Sequence, residues 1–194
     1  MAGSKGGNSI KVTMSLKEAT AWGERIQEVL KKNNYKSVLC GSIRRQKPFD
    51  IGDIDMVVER PVADAVLTIR DWAIRTGKQF KSETKNLNNS SKIAVFSVQG
   101  TPFNFFGASD QDWGAMVLFL TGSLLFNVIL RGEAKKQGYK LNQNGLWLGE
   151  ERIAGKDERQ MFDALGLEWV EPQDRNLTTA NKGIVTPIRY KEPV

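Results

Sequence analysis

The chain has 194 residues, with Lys+Arg 28 against Asp+Glu 22, which gives a formal net charge of +6. Hydrophobic residues make up 40% of the chain, which is enough for a packed core and argues against a disordered protein. No apolar run approaches the ~18 residues of a membrane span, and the single cysteine, Cys40, fits a reducing cytosol. The absence of histidine excludes Ser-His triads, Cys-His dyads and His-containing zinc sites, so any catalysis must use carboxylates, lysine, hydroxyls or a hard metal ion.

The N-terminal part of the chain predicts a tail, a helix and a strand. Residues 1–9 are small, polar and rich in glycine, which is typical of a flexible tail. Ser15 and Glu18 have the spacing of a capping box, and apolar residues then recur every three or four positions until Asn33, as in an amphipathic helix. Residues 37–40 predict a short buried strand that leads into Gly41-Ser42.

The rest of the chain alternates between strands and helices. In order we expect a strand at 54–58, a helix from Pro61 to about Arg75, a polar loop at 82–91, strands at 92–98 and 103–106, and a helix capped by Asp110. A helix at 123–137, a hairpin at 139–154 with a turn at Asn144-Gly145, a short helix capped by Asp157 and a tail from Asn176 follow. The predicted fold class is α+β: a mixed β-sheet with flanking helices at 10–120, then a small α+β unit at 121–194.

Two carboxylates on one predicted strand indicate a metal site. Residues two apart on a strand point to the same side, so Asp53 and Asp55 project together while Ile54 faces the core. The two negative charges repel each other unless a cation lies between them. Mg²⁺ prefers oxygen ligands and commonly binds one or two carboxylates together with substrate phosphates. The plainer alternative is a pair of solvated acids at the end of a strand.

A phosphate-binding turn is predicted beside this strand. Gly41-Ser42 follows a strand and precedes a short helix, an arrangement that presents backbone N–H groups and a hydroxyl to an anion. Arg44 and Arg45 add charge-assisted donors for phosphate. A Gly-Ser pair alone is a weak signal, but the sequence Gly-Asp-Ile-Asp at 52–55 makes it a strong one.

This combination resembles the nucleotidyltransferase signature, and two further motifs make the chain similar to the family X DNA polymerases. Residues 121–131 resemble the family's T-G-S-x-x-F-N-x-x-x-R stretch, and residues 171–175 resemble its E-P-x-D-R ending. The resemblance implies a nucleotidyltransferase palm at 10–120 and a thumb at 121–194. Since only residues 1–36 precede the first predicted strand, it implies a minimal palm-plus-thumb form without lyase or fingers regions, as in small viral members.

The resemblance also implies roles for individual residues. Those expected at the nucleotide are Gly41, Ser42, Arg45, Gly52, Phe119, Gly122 and Asn127, with a cis peptide between Gly122 and Ser123. Asn127 and Arg131 share one helix face and would reach the nascent base pair and the template. Lys135, Lys136 and Lys140 are candidates for contacts with DNA phosphates or, equally, for a solvated helix face.

One position departs from the family pattern. Two-metal phosphoryl transfer needs a third acid, and the family spacing places it at Asn104, whose amide brings no charge and accepts no proton. Three explanations compete: an engineered Asp→Asn change, a natural loss that leaves a binding protein, or a shifted register in which Asp110 or Asp112 is the third acid. We favour the first, because every other element of the pattern is intact.

The sequence and the resemblance together predict a DNA-directed DNA polymerase that fills short gaps by two-metal phosphoryl transfer. Its two-metal site is expected at Asp53, Asp55 and Asn104, with an activity lowered by Asn104. The expected partners are gapped or primed DNA, deoxynucleoside triphosphates and Mg²⁺, for which Mn²⁺ can substitute. No membrane partner is expected, and we expect a monomer in the cytoplasm or at the nucleoid. The alternatives are a small nucleotidyltransferase with a non-DNA acceptor and an inactive DNA-binding relative.

Overall fold

The computed structural model describes residues 13–48, 50–177 and 187–192. The predicted tail at 1–9 and most of the tail after Asn176 lie outside the described residues. The helices are α1 (Leu16–Lys32), α2 (Gly41–Arg44), α3 (Val62–Arg75), α4 (Trp113–Thr121), α5 (Leu124–Lys136) and α6 (Glu158–Ala164), with a 3-10 turn at Pro172–Arg175. The strands are β1 (Ser37–Leu39), β2 (Ile54–Glu59), β3 (Phe80–Ser82), β4 (Ile93–Val98), β5 (Thr101–Ala108), β6 (Lys140–Asn142), β7 (Gly145–Leu148) and β8 (Glu151–Ala154).

The larger sheet is mixed, as the sequence predicts. Its strand order is β1-β2-β5-β4-β3, and only β2 and β5 run parallel. Their register places Asp55 directly beside Asn104. The α+β class with flanking helices is therefore confirmed, and the parallel pair brings the predicted carboxylate strand next to the strand that carries the third site residue.

The two faces of this sheet pack against different helices. Ile54 and Met56 belong to a buried core that α1 and α3 cover. Val57, on the opposite face, packs with Met116 and Val117 of α4. Because side chains alternate along a strand, Asp55 points to the α4 face. The candidate site is thus on the face of the sheet opposite to α1 and α3.

The second half of the chain has its own core beside a three-stranded antiparallel sheet, in the order β6-β7-β8. Phe126, Phe162 and Leu146 are fully or almost fully buried there. Segment 187–192 adds to this half, because Leu167 and Tyr190 form an antiparallel bridge. In the described ranges, no helix is both long and apolar enough to cross a membrane.

Three local predictions differ from the structure. The polar loop predicted at 82–91 overlaps β3, a three-residue strand that pairs with β4. The predicted cap of α4 at Asp110 is wrong: the residue before the helix is Asp112, and its carboxylate accepts from the Ser109 N–H instead of a helical one. The first hairpin turn is 143–144, since Asn142 pairs with Gly145.

Candidate active site

The predicted carboxylates and Asn104 lie together in the structure. The Asn104 amide Nδ2 donates to Asp53 Oδ2 at 3.2 Å and to Asp55 Oδ1 at 3.1 Å. The parallel register of β2 and β5 produces this geometry, since it pairs Asp55 with Asn104. The amide therefore lies between the two carboxylates, where a cation would otherwise relieve their repulsion.

The environment of Asp55 disfavours its charged form. The pKa of its carboxyl is raised from 3.8 to about 6, chiefly by burial and also by the nearby charge of Asp53. The hydrogen bond from Asn104 and the charge of Arg45 act in the opposite direction, but they do not cancel the effect of burial. A cation bound at this carboxylate would therefore compete with a proton near neutral pH.

The donor set fits one hard cation better than two. Asp53 and Asp55 present oxygen ligands of the kind that Mg²⁺ takes together with phosphate oxygens. In the part of the chain that the structure describes, no cluster of three or more His, Cys, Asp or Glu side chains could hold a metal ion. The third polar side chain that the structure places at the two carboxylates is the neutral amide of Asn104.

The alternative third acids are engaged elsewhere. Asp110 pairs with Lys36 at 3.4 Å, and its side chain is 78% exposed. Asp112 accepts from the Ser109 hydroxyl at 2.6 Å and pairs with Arg60 at 3.1 Å. Asn104 hydrogen-bonds to Asp53 and Asp55, whereas Asp110 and Asp112 have other partners.

The Gly41-Ser42 turn packs directly against the carboxylate strand. The Cys40 N–H donates to the Asp55 carbonyl at 2.8 Å, which fixes the turn to β2. Gly41 has φ +56°, and a Cβ at this position would overlap Asp55 Oδ2. Only glycine allows both this backbone conformation and this close approach.

A cleft of about 280 Å³ lies between this turn and helix α5. Seven of the predicted nucleotide or template residues line it, together with Asp55: Gly41, Ser42, Arg45, Phe119, Gly122, Asn127 and Arg131. Gly52, the remaining one, is next to Asp53 in the sequence but is not among the residues that line this cleft. The peptide between Gly122 and Ser123 is cis, as the resemblance implies.

Helix α5 presents an apolar and basic face to this cleft. Leu124 is 83% exposed and Val128 is 53% exposed, and both line the cleft with Arg131. Asn127 is held by its own hydrogen bond, because its Nδ2 donates to the Phe119 carbonyl at 2.7 Å. The exposure of Leu124 and Val128 at the cleft was not predicted from the sequence, since apolar side chains on a helix are usually assigned to the core.

The two arginines after Ser42 have different surroundings. Arg44 Nη2 pairs with Glu158 Oε2 at 2.5 Å, and its Nη1 donates to the Thr121 hydroxyl at 2.6 Å. Its guanidinium is thus engaged within the protein, contrary to the expected phosphate contact. Arg45 lies at the cleft, where its Nη1 donates to the Thr121 carbonyl.

Glu158 also binds Arg175 of the E-P-Q-D-R motif. Arg175 is completely buried, pairs with Glu158 Oε1 at 2.8 Å, and donates to the Val170 carbonyl at 2.8 and 3.0 Å. Burial lowers the pKa of the Arg175 guanidinium. Glu158 is 114 positions from Arg44 and belongs to no sequence motif, so no local pattern predicts this contact.

The three candidate DNA-binding lysines also differ. Lys136 pairs with Glu133 at 2.7 Å. Lys135 and Lys140 are exposed, and neither ammonium group has an ion-pair partner among the described residues. Two of the three lysines are therefore free to meet a phosphate.

Residues 116–176 match the family model of the DNA polymerase beta thumb. This segment contains both the T-G-S and the E-P-Q-D-R motifs. The chain resembles the family X DNA polymerases. In solved structures it is similar to Leishmania infantum polymerase beta in a ternary P/T complex, with TM-score 0.70 and 19% identity over 87% of this chain and 78% of that one.

Curated relatives agree with this resemblance. The chain is 33% identical over 79 residues to DNA polymerase IV of Saccharomyces cerevisiae, which is 41% of this chain and 14% of that protein. It is 24% identical over 171 residues to DNA polymerase lambda of Arabidopsis thaliana, a match that covers 73% of this chain and 32% of that protein. Against repair DNA polymerase X of African swine fever virus it is 21% identical over 171 residues, 87% of this chain and 96% of that protein. The chain thus spans less than a third of the first two relatives and nearly all of the viral one.

Proposed function

We propose that this protein is a DNA polymerase of the family X type that adds deoxynucleotides to a primer 3′-hydroxyl in short gaps. We further propose that Asn104 lowers its rate. One observation carries the proposal: Asn104 donates to both Asp53 and Asp55, and Asp55 also lines the cleft with Gly41, Ser42 and Arg45. The relatives are DNA polymerases, which supports the enzyme class.

Different residues at the site bind the triphosphate, the metal ion and the template strand. Ser42 and Arg45 donate to the triphosphate, and the backbone of the Gly41 turn approaches it closely. Asp53 and Asp55 hold a Mg²⁺ ion, which when bound neutralises charge on the triphosphate. Arg131, on the α5 side of the cleft, reaches the template strand.

Asn104 limits the chemical step in this proposal. The primer 3′-oxygen attacks the α-phosphate and pyrophosphate leaves, so the hydroxyl proton has to be removed near the third position. The amide of Asn104 carries no charge and does not accept that proton. Nucleotide binding through Asp53 and Asp55 therefore survives, while turnover is slow.

The test is the variant Asn104→Asp in extension of a one-nucleotide gap, with each deoxynucleotide and ribonucleotide. We expect the rate to rise by about a hundredfold or more, because the site regains its third carboxylate. Asn88→Asp is a matched control: it adds the same charge in the exposed 83–92 loop, and we expect no gain from it. No gain in the Asn104→Asp variant would contradict the proposal.

Asn104 also favours a second candidate, a nucleotide- and DNA-binding relative without polymerase activity. Calorimetric binding of Mg·dATP with no extension, even by the Asn104→Asp variant, would support it. Transfer that ignores the template base would instead indicate a nucleotidyltransferase with another acceptor.

A further inference from the structure

Asn176, the residue directly after the E-P-Q-D-R motif, contacts Arg45 through two reciprocal hydrogen bonds. Arg45 Nε donates to Asn176 Oδ1 at 2.9 Å, and Asn176 Nδ2 donates to the Arg45 carbonyl at 2.7 Å. The two residues are 131 positions apart in the sequence. One amide side chain thus fixes both the backbone and the guanidinium of Arg45.

The remaining contacts of Arg45 leave one edge of its guanidinium available. Nη1 donates to the Thr121 carbonyl, and Nη2 is 3.4 Å from the Ser42 hydroxyl, which is a long hydrogen bond. A guanidinium has five N–H donors in a rigid plane, so fixing Nε and Nη1 also fixes the direction of Nη2. Arg45 and Ser42 both line the cleft.

Asn176 is exposed, but further hydrogen bonds hold it and the residue before it in place. Its Nδ2 also donates to the Gln173 carbonyl at 3.2 Å. The preceding residue, Arg175, is completely buried against Glu158, and its carbonyl accepts from the Ser123 N–H at 3.2 Å. The contact with Arg45 therefore comes from a rigid support on the thumb half of the chain.

We propose that Asn176 is a positioning residue that aligns the Arg45 guanidinium for the triphosphate of the incoming nucleotide. This inference rests on the proposed function, because it takes the cleft to be the nucleotide site. An arginine held in its binding conformation loses less side-chain freedom when the ligand binds. Asn176 contacts Arg45 and needs no contact with the nucleotide.

The first test is calorimetric titration of the full chain with Mg·dATP and with Mg·tripolyphosphate. We expect Asn176→Ala to weaken both by roughly three- to tenfold, and by a similar factor, since the lost alignment concerns only the phosphates. Gln173→Ala is the matched control: its exposed side chain makes no contact with Arg45, and we expect unchanged affinities. Thermal unfolding should show the same midpoint for Asn176→Ala and the parent.

A double-mutant cycle distinguishes positioning from a general structural role. In the Arg45→Lys background the Nε contact is absent, so Asn176→Ala should change tripolyphosphate affinity less than about twofold. An equal loss in both backgrounds would overturn the inference. Asn176→Gln keeps the polar groups but displaces them by one methylene, and we expect a loss from it even if the alanine variant does not fold.

Binding by the parent chain tests the proposed function, and the comparison of Asn176→Ala with the parent tests the positioning role. If the parent chain binds neither Mg·dATP nor Mg·tripolyphosphate, the proposed function is wrong. If the parent binds both and Asn176→Ala binds them equally well, only the positioning role is wrong.

Discussion

Asp55 is the residue at which function and stability conflict most directly. Burial raises the pKa of its carboxyl to about 6, above the 3.8 of an exposed aspartate. Because the pKa is higher in the folded state, the contribution of protonated Asp55 to the stability of the fold is complete below about pH 3.8. This contribution is lost as the pH rises through about 6. At neutral pH, the metal-free fold therefore contains a carboxylate that its surroundings disfavour.

Asp55→Asn should stabilise the metal-free protein near pH 8. We expect the free energy of unfolding to rise by about 1–3 kcal/mol, because the neutral amide avoids the cost of a buried charge. The gain should shrink steadily between pH 6 and pH 4, where Asp55 itself becomes protonated. Urea unfolding at pH 8 and pH 4 with a chelator present measures it, and a gain that is independent of pH would contradict the pKa assignment.

Gly41→Ala should damage both the fold and the site. The positive φ of +56° and the overlap of a new Cβ with Asp55 Oδ2 predict a loss of about 2 kcal/mol or more and loss of Mg·dATP binding. Gly132→Ala is the control within α5, because no atom beyond its chain neighbours and the backbone of its own helix lies within 4 Å of the added Cβ. Helix propensity predicts that this control is neutral or slightly more stable. Thermal unfolding and calorimetry measure the two effects, and equal losses in both variants would contradict the steric explanation.

At the scale of elements, Glu158 at the start of α6 joins α2 to the turn at Pro172–Arg175. Its carboxylate pairs with Arg44 at 2.5 Å and with Arg175 at 2.8 Å. The Arg175 guanidinium also stacks near Phe126, Phe162 and Trp169, with ring-centroid distances between 4.7 and 5.5 Å. One acidic residue thus compensates a completely buried arginine and holds three elements together.

Glu158→Gln should therefore be strongly destabilising. It leaves Arg175 buried without a counter-charge, and we expect a loss of about 3–5 kcal/mol in the free energy of unfolding. Glu28→Gln is the control, because it removes the same charge from an exposed pair with Lys32, and it should cost far less stability than Glu158→Gln. Similar losses in the two variants would show that the buried pair has no special weight.

Periodicity in the sequence was sufficient to predict most elements, but it does not reveal contacts between distant ones. The helix at Leu16–Lys32 and the strand at Ile54–Glu59 follow from local patterns of apolar residues. The strand at Phe80–Ser82 has only three residues, which is too few for a recognisable alternation of apolar and polar side chains. Its existence depends on pairing with β4, which is a tertiary effect.

The parts of the candidate site that could be predicted from local sequence are those whose residues lie two positions apart on a strand or within one short motif. The grouping of Ser42 and Arg45 with the distant Arg131 was implied by the family resemblance, and the structure brings the three residues to one cleft. The roles of Arg44 and Asn176 depend on partners more than 100 positions away, Glu158 and Arg45. No local pattern reports such pairs, since folding alone brings them together.

At the scale of the whole molecule, we expect DNA binding to depend less on the net charge of +6 than on which lysine side chains have no ion-pair partner among the described residues. Lys135→Ala and Lys140→Ala should each weaken binding of gapped DNA and lower the slope of log affinity against log salt by about 1, because we propose that each lysine contacts one phosphate. Lys136→Ala should have a smaller effect, since Lys136 is paired with Glu133 at 2.7 Å. Fluorescence anisotropy at several salt concentrations measures the slopes, and equal effects of all three would contradict this distinction.

Helix α4 determines where the chain can be cut into pieces. Ala115 and Leu118 belong to the core of the second half, whereas Met116 and Val117 belong to that of the first. The N–H groups of Gly114 and Ala115 donate to the carbonyls of Lys156 and Gly155, so the second half caps this helix. A fragment that ends or begins within α4 would expose apolar surface and leave these groups unpaired. Two-fragment complementation should therefore succeed with a cut in the exposed 83–92 loop and fail with a cut between residues 115 and 121.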